Sequence, residues 1–103
     1  MKSFHYIHLL TIASKNQARA LLETASKEQV QDICLIIFNL SKNITVLQPK
    51  TKQLLLKHKK LVQTLCKKNL LEKTKYRAIR KHWLAIYNLL ISAKTVLLKA
   101  LEK

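Results

Sequence analysis

Residues 25–40, ASKEQVQDICLIIFNL, decide the fold class of this chain. Ser26 and Gln29 have the spacing of a capping box, in which two side chains satisfy backbone N–H groups at the start of a helix. Apolar or small residues then recur at helical intervals, namely Val30, Ile33, Cys34, Ile37 and Ser41. The run 34–38 would also suit a buried strand, but the capping box and the lack of a partner strand favour a helix. We expect this helix to lie at the centre of the fold.

The rest of the chain also favours helices over strands. It contains no glycine and a single proline, Pro49, whereas β-hairpins usually need glycine in their turns. A second capping-box pattern, Ser14 with Gln17, lies within an amphipathic segment over residues 3–24. That segment is therefore either one helix or two helices that meet near Ala13.

Two further helices are predicted in the second half. After a loop at residues 43–48, the proline suits the first turn of a helix that runs to about Lys68. The last helix is long and amphipathic, and it runs from about Thr74, as its N-cap, to Leu101. Its apolar sector is wider than one buried face needs, which indicates burial on several sides or contact with a second chain or a membrane. The predicted fold is all-α: a small bundle of three to four helices in a single domain, residues 1–103.

Charge is distributed unevenly along the chain. The formal net charge is +15, from 20 Lys and Arg against 5 Asp and Glu. Residues 1–48 carry five Lys and Arg and three acids, whereas residues 49–103 carry fifteen Lys and Arg and two acids. We interpret the first half as a near-neutral scaffold and the second as a basic half that forms the working surface. A chain with this excess of positive charge repels itself, and a polyanion relieves the repulsion.

The basic half contains the candidate nucleic-acid-binding residues. They are Lys50, Lys52, Lys57, His58, Lys59, Lys60, Lys67, Lys68, Lys73, Lys75, Arg77, Arg80 and Lys81. Lysine reaches phosphates as a point charge, and neutralised phosphates release counterions, whereas base-edge readout favours Arg, Asn and Gln. Because the chain has only three arginines, we expect binding to the phosphate backbone without sequence preference. DNA is the expected partner, although these residues by themselves leave both DNA and RNA open. The competing interpretation is a solvated face that only confers solubility, but such faces usually mix Lys with Glu.

A helical wheel separates the residues of segment 49–68 into a basic and an apolar face. The apolar face holds Leu54, Leu55, Leu61, Val62, Leu65 and Cys66, with Leu56 as the exception. Tyr76 and Trp83 stand near the basic residues and are candidates for stacking on bases. Their spacing of seven, however, favours positions in the core.

No enzyme activity, cofactor or metal site is predicted. Only five acids occur, and Glu23, Glu28 and Asp32 fit helix-surface roles better than paired catalytic carboxylates. His5 and His8 are spaced to share a helical face, but no Cys or acid completes a ligand set at a tight spacing.

The two cysteines, Cys34 and Cys66, are expected to be free buried thiols, since each falls at an apolar helical position. A single disulfide between them is the alternative. No apolar run reaches about 18 residues, so no transmembrane helix is predicted.

Several of these stretches resemble one family. They are residues 25–30, the apolar helix through Cys34 and Ile37, Asn43-Ile44, Pro49-Lys50 and Lys57-His58-Lys59-Lys60-Leu61. Over about residues 20–68, they resemble the small basic core or accessory proteins of adintoviruses and polinton-like elements. In that family an A-S-x-E-Q helix start leads to an N-I loop and a Lys-rich H-K-K-L helix. The resemblance implies a virion core protein in which residues 50–68 form the DNA-contacting helix, located in the nucleus or the virion.

The chain also departs from the family pattern. Lys42 stands where members often carry a glycine, and a long helix through Trp83 and Leu101 replaces a glycine-rich turn and a short apolar tail. A role of that tail at membranes is therefore not carried over. Two alternative functions stay open for the last helix: contact with anionic membranes, and pairing with a protein partner or with itself as a homo-oligomer.

Overall fold

A computed structural model describes residues 4–43 and 47–94. Within these residues the chain forms seven helices and no strand. They are α1 (Phe4–Ile12), α2 (Lys15–Glu23), α3 (Lys27–Lys42), α4 (Pro49–Lys57), α5 (Lys59–Cys66), α6 (Glu72–Lys81) and α7 (Trp83–Ser92). The predicted all-α class is confirmed, but three to four helices understates their number. Part of the predicted loop, residues 44–46, lies outside the described residues.

Both capping boxes expected from the sequence are formed. The N–H of Ser14 donates to Gln17 Oε1 over 3.0 Å, and the N–H of Gln17 donates to Ser14 Oγ over 3.3 Å. The corresponding distances between Ser26 and Gln29, at the start of α3, are 2.8 and 3.2 Å. The first amphipathic segment is accordingly two helices, α1 and α2, which meet at Ala13.

Residues 47–94 contain four helices where two were predicted for the second half, because the chain bends at His58 and at His82. The two residues have nearly the same backbone, with φ −107° and ψ 34° at His58 and φ −112° and ψ 33° at His82. Each N–H still donates to the carbonyl four residues earlier, over 3.0 and 2.9 Å. A straight helix over residues 49–68 would be about 30 Å long, close to the largest extent of the molecule, 31 Å. The bend instead lets α4 pack against α7 while α5 packs against α3 and α6.

The last predicted helix also starts at a different residue. Thr74 is not its N-cap, because α6 begins two residues earlier, at Glu72. The Glu72 carboxylate accepts a hydrogen bond from Gln31 of α3 over 2.6 Å and lies 3.7 Å from Lys27 Nζ. This tertiary contact, which the local pattern does not reveal, joins the first turn of α6 to α3. The described part of the last helix, α7, has ten residues, and the predicted continuation to Leu101 lies outside the described residues.

One hydrophobic cluster draws on both halves of the chain. Its fully buried members include Ile7, Leu22, Ile37, Leu65 and Ile86. The predicted core positions of α3 to α5 are buried or half-buried, and the predicted exception on α4, Leu56, is 65% exposed.

Asp32 is a correction to the predicted surface acids. Its side chain is buried, with 8% exposure, although the sequence placed it at the helix surface. It lies one turn before Ile36, which is also buried, so both residues fall on the inward side of α3.

α7 shares the centre of the fold with α3. It packs against α1, α2, α4 and α6, and Ile86, Leu89 and Leu90 are fully buried. At the contact with α4, the Thr51 hydroxyl donates to Ser92 Oγ over 3.1 Å, and Ser92 Oγ donates to a carbonyl of its own helix over 2.8 Å. Burial on several sides, one of the predicted alternatives, therefore accounts for most of the apolar residues of α7, whereas Leu84 is 41% exposed.

Tyrosine hydroxyls satisfy backbone carbonyls at the ends of α1 and α2. The bonds run from Tyr6 to the Leu21 carbonyl over 2.8 Å, from Tyr76 to Glu23 over 2.5 Å, and from Tyr87 to Ala13 over 3.1 Å. The last carbonyls of a helix lack intrahelical donors, and many helices end at a glycine with positive φ. In this glycine-free chain no described residue has positive φ, and side chains from other helices supply donors instead. Burial raises the pKa of Tyr6, which keeps its hydroxyl protonated as a donor.

Candidate nucleic-acid interface

The thirteen predicted binding residues lie on three helices and on the connections between them. α4 carries Lys50, Lys52 and Lys57, the bend is His58, α5 carries Lys59 and Lys60, the next connection carries Lys67 and Lys68, and α6 carries Lys73, Lys75, Arg77, Arg80 and Lys81. Ten of them are exposed, and Lys52, His58 and Lys75 are half-buried. Because of the bend at His58, residues 50–68 are not the single DNA-contacting helix that the resemblance implied. They present cations from two helices that pack on different neighbours.

The exposed side of α4 combines lysines with a glutamine. Lys50, Gln53 and Lys57 are exposed and follow one another at spacings of three and four, so they share one face. Thr51 and Leu55 are buried on the opposite side. Gln53 was not among the predicted residues, although its spacing of three from Lys50 identifies it as a further donor on the same face.

The exposed side of α5 repeats this arrangement. Lys59, Lys60 and Gln63 are exposed, whereas Leu61 and Leu65 are buried. Gln63 was also missed, and its spacing of three from Lys60 is the signal that would have found it. The amide of each glutamine offers two further donors to a phosphate oxygen.

α6 divides its cations between two sides. Lys73, Arg77, Arg80 and Lys81 are exposed. Lys75 lies four residues before Ile79, which is fully buried, and it is therefore on the inward side of the helix. Its half-buried position separates it from the other four cations of α6.

No acid balances these cations in the described parts of residues 49–103. The one acid there, Glu72, is 3.7 Å from Lys27 of the scaffold half. The other ion pair among the described residues joins Arg19 to Glu23 over 2.7 Å, within α2. The twelve Lys and Arg of the interface thus form no ion pair within residues 4–43 and 47–94. Their charge is available to an anion from outside the chain.

Tyr76 and Trp83, the candidate stacking residues, pack against the core instead. Both are half-buried, and an arginine covers each ring: the Arg80 guanidinium lies 5.5 Å from the Tyr76 centroid, and the Arg19 guanidinium lies 5.5 Å from the Trp83 centroid. A covered ring does not present a free face to a base. The sequence had favoured core positions for both.

A cavity of about 380 Å³ lies between α3, α5 and α6. Its lining includes Cys34, Cys66, Lys68 and Lys75. The two cysteines are free, as expected, but only Cys34 is buried, and Cys66 is half-buried. Burial raises the pKa of Cys34 to about 11, although the nearby Lys75 ammonium opposes the rise. The sequence could not show this cavity, because it depends on how three helices pack.

Two other features, a metal site and a membrane-spanning helix, are not found among the described residues. In 4–43 and 47–94, no three His, Cys, Asp or Glu side chains lie together as metal ligands would. No helix in those ranges has the length and apolar character needed to cross a bilayer.

Comparison of the chain with protein-family models, with curated proteins and with solved structures found no match.

Proposed function

We propose that this protein binds and condenses nucleic acid, DNA rather than RNA, through the phosphate backbone and without sequence preference. The observation that carries the proposal is the set of twelve Lys and Arg, nearly all exposed, that no acid of the described chain pairs with. Holding so many like charges on a small fold costs free energy through repulsion, and phosphates remove that cost. Each neutralised phosphate also releases counterions, which adds a favourable entropy.

The spread of the cations over α4, α5 and α6 supports condensation over groove reading. A protein that reads base edges inserts one helix or ribbon into the major groove. Here the bend at His58 divides the cations between helices with different packing partners. Such a surface contacts phosphates in several directions and can hold more than one duplex segment.

A viral core protein is the biological role that we propose for this activity, with the nucleus or the virion as its location. The support is the resemblance of about residues 20–68 to the small basic core proteins of adintoviruses and polinton-like elements. Its A-S-x-E-Q motif corresponds to the Ser26 capping box at the start of α3. Its H-K-K-L motif corresponds to the bend at His58 and the first turn of α5.

The membrane and interaction-module alternatives rested on the wide apolar sector of the last helix. In α7, Ile86, Leu89 and Leu90 are fully buried. Tyr87 donates a hydrogen bond to the Ala13 carbonyl, and an arginine covers Trp83. The core of the chain thus occupies most of the apolar face of α7, with Leu84, 41% exposed, outside it. One exposed leucine on α7 does not favour these alternatives over nucleic-acid binding.

The proposal is tested by fluorescence anisotropy with a labelled duplex of random sequence and the triple variant Lys57→Glu, Lys59→Glu, Lys60→Glu. All three side chains are exposed, so circular dichroism should show unchanged helicity while binding is lost. A matched pair of single variants follows. Lys60→Glu changes the charge within the interface, and its control, Lys15→Glu, makes the same change of charge at an exposed site on α2. We expect Lys60→Glu to weaken binding more. Unaltered binding by the triple variant would show that this surface is not the interface.

A further inference from the structure

The cavity between α3, α5 and α6 has a mainly apolar wall. Val30, Cys34 and Phe38 line it from α3 at spacings of four, so they form one stripe along that helix. Leu65 lines it from α5, and Leu70 lines it from the connection to α6. The volume of about 380 Å³ lies within the range of cavities that bind small molecules, roughly 300–1,000 Å³. Size and lining therefore suit a small organic ligand.

The shape of the cavity suits an unbranched chain. Val30 and Phe38 are eight residues apart on α3, which corresponds to about 12 Å along the helix axis. Exposed side chains, among them Leu35 and Lys68, also line the cavity, so it opens to solvent. An alkyl chain that lies along the apolar stripe would therefore have its polar end near the opening.

Two lysines give the cavity positive charge. Lys68 follows α5 and is exposed, whereas Lys75 of α6 is half-buried. Neither forms an ion pair with an acid of residues 4–43 or 47–94. The Lys75 ammonium is near enough to Cys34 to oppose the rise in the pKa of that thiol, which puts it beside the apolar stripe. The cavity therefore offers cations to an anion at the edge of an apolar wall.

One acid, Glu72, is also found among the described residues that line the cavity. Its carboxylate accepts a hydrogen bond from Gln31 over 2.6 Å and lies 3.7 Å from Lys27 Nζ. Lys27 therefore balances the charge of Glu72, and Lys68 and Lys75 stay available to a ligand.

We propose that this cavity binds a fatty acid of medium chain length, with the alkyl chain along the α3 stripe and the carboxylate at Lys68 and Lys75. Burial of the chain supplies affinity, and the ammonium groups bind the carboxylate by charge-assisted hydrogen bonds. This inference goes beyond nucleic-acid binding, because a phosphate backbone has no alkyl chain for the apolar stripe. It also gives a role to Lys75, whose half-buried position separates it from the other cations of α6.

Isothermal titration calorimetry of the full chain with decanoate tests the proposal. We expect saturable binding at a single site. Each buried CH₂ group contributes about fourfold to the affinity, so octanoate should bind roughly 15-fold more weakly than decanoate. Butyrate, which has the carboxylate and only a short chain, should show no saturable binding. An absence of decanoate binding, or an affinity that does not depend on chain length, would overturn the proposal.

Matched lysine variants locate the carboxylate. Lys68→Gln with Lys75→Gln should weaken decanoate binding about tenfold, the effect of losing one hydrogen bond to a charged group. The control, Lys57→Gln with Lys60→Gln, removes the same charge from exposed sites that do not line the cavity, and it should leave the affinity unchanged. Equal losses in the two double variants would show that decanoate adsorbs to the basic surface, and the proposal would be wrong.

Protection of the thiols locates the alkyl chain in the unaltered protein. Cys34 and Cys66 both line the cavity, so saturating decanoate should slow their reaction with N-ethylmaleimide, an uncharged reagent. Butyrate at the same concentration should not slow it. Thiol reaction rates that saturating decanoate leaves unchanged would show that the chain binds elsewhere, against the proposal.

These measurements contain no nucleic acid, so they separate this inference from the proposed function. Decanoate binding in the cavity of a protein with no affinity for DNA would keep the inference and overturn the proposed function. A protein that binds DNA and no decanoate would do the reverse.

Discussion

The hydroxyl of Tyr76 donates a hydrogen bond to the carbonyl oxygen of Glu23 over 2.5 Å, across 53 residues of sequence. The bond joins α6, which carries five of the candidate binding residues, to the end of α2 in the scaffold half. Tyr87 of α7 makes a corresponding bond to the Ala13 carbonyl, while the bond from Tyr6 to Leu21 lies within the scaffold half. The basic surface is therefore attached to the scaffold half by hydrogen bonds as well as by the shared core.

Tyr76→Phe should destabilise the fold by about 1 kcal/mol, because it removes the donor and keeps the ring. For a domain of this size, that corresponds to a melting temperature lower by roughly 4–8 °C. Thermal unfolding followed by circular dichroism checks the value. Tyr87→Phe removes the corresponding donor to the Ala13 carbonyl and should also cost about 1 kcal/mol. An unchanged melting temperature for Tyr76→Phe would contradict the role given to this hydroxyl.

Ser26→Ala should lower the free energy of unfolding by about 1 kcal/mol, because it removes one half of the capping box of α3. Ser41→Ala is the control on the same helix. Its hydroxyl donates to the Phe38 carbonyl over 2.8 Å, lies 4.0 Å from Cys66 Sγ of α5, and caps no helix start. Urea denaturation of both variants should show a shifted midpoint for Ser26→Ala only. Equal shifts would mean that the cap contributes no more than an ordinary serine.

Ile86→Ala should destabilise the protein by about 2–5 kcal/mol, the range for large-to-small changes in a core. This residue is fully buried in α7. Leu56→Ala, at a position that is 65% exposed, should change the stability by no more than about 0.5 kcal/mol. A small effect of Ile86→Ala in denaturant unfolding would argue against the central position of α7.

The two thiols should differ in reactivity. Burial raises the pKa of Cys34 to about 11, so between pH 7 and that value its thiolate fraction should rise about tenfold per pH unit. In a Cys66→Ser variant, the reaction of Cys34 with a disulfide reagent should therefore be slow near neutral pH and should speed up along that slope. In a Cys34→Ser variant, the half-buried Cys66 should react faster near neutral pH. The account of Cys34 is wrong if both thiols react alike at pH 7.

The sequence predicted what local chemistry determines. The capping boxes at Ser14 and Ser26 and the buried positions Ile33 and Ile37 could be read from spacing, because a capping box and a helical face involve residues three or four apart. The all-α class followed in the same way from the absence of glycine. The helical wheel of segment 49–68 also predicted that Lys57 is exposed, because it placed Lys57 on the basic face.

Features that depend on packing could not be predicted. The bends at His58 and His82 occur inside continuous helical patterns. At His58 the two halves pack on different neighbours, whereas α6 and α7, on either side of His82, both pack on α2 and differ in their other neighbours. At the start of α6, Glu72 contacts Gln31 of α3, which lies 41 residues earlier in the sequence. Burial of Asp32 and the arginine that covers Trp83 likewise need residues that are distant in sequence. The uneven distribution of charge in the sequence therefore predicted the residues of the candidate site. It could not predict that these residues are divided over three helices.

The central claim is that the unpaired cations of α4 to α6 bind phosphates without reading sequence. The most direct measurement is the affinity for two duplexes of equal length and unrelated sequence, over a series from about 50 to 200 mM salt. In a plot of log K against log salt, each phosphate contact contributes about −0.9 to the slope. We predict a steep slope that implies several contacts and is the same for both duplexes. No binding at the lowest salt, or a slope near zero, would contradict the account.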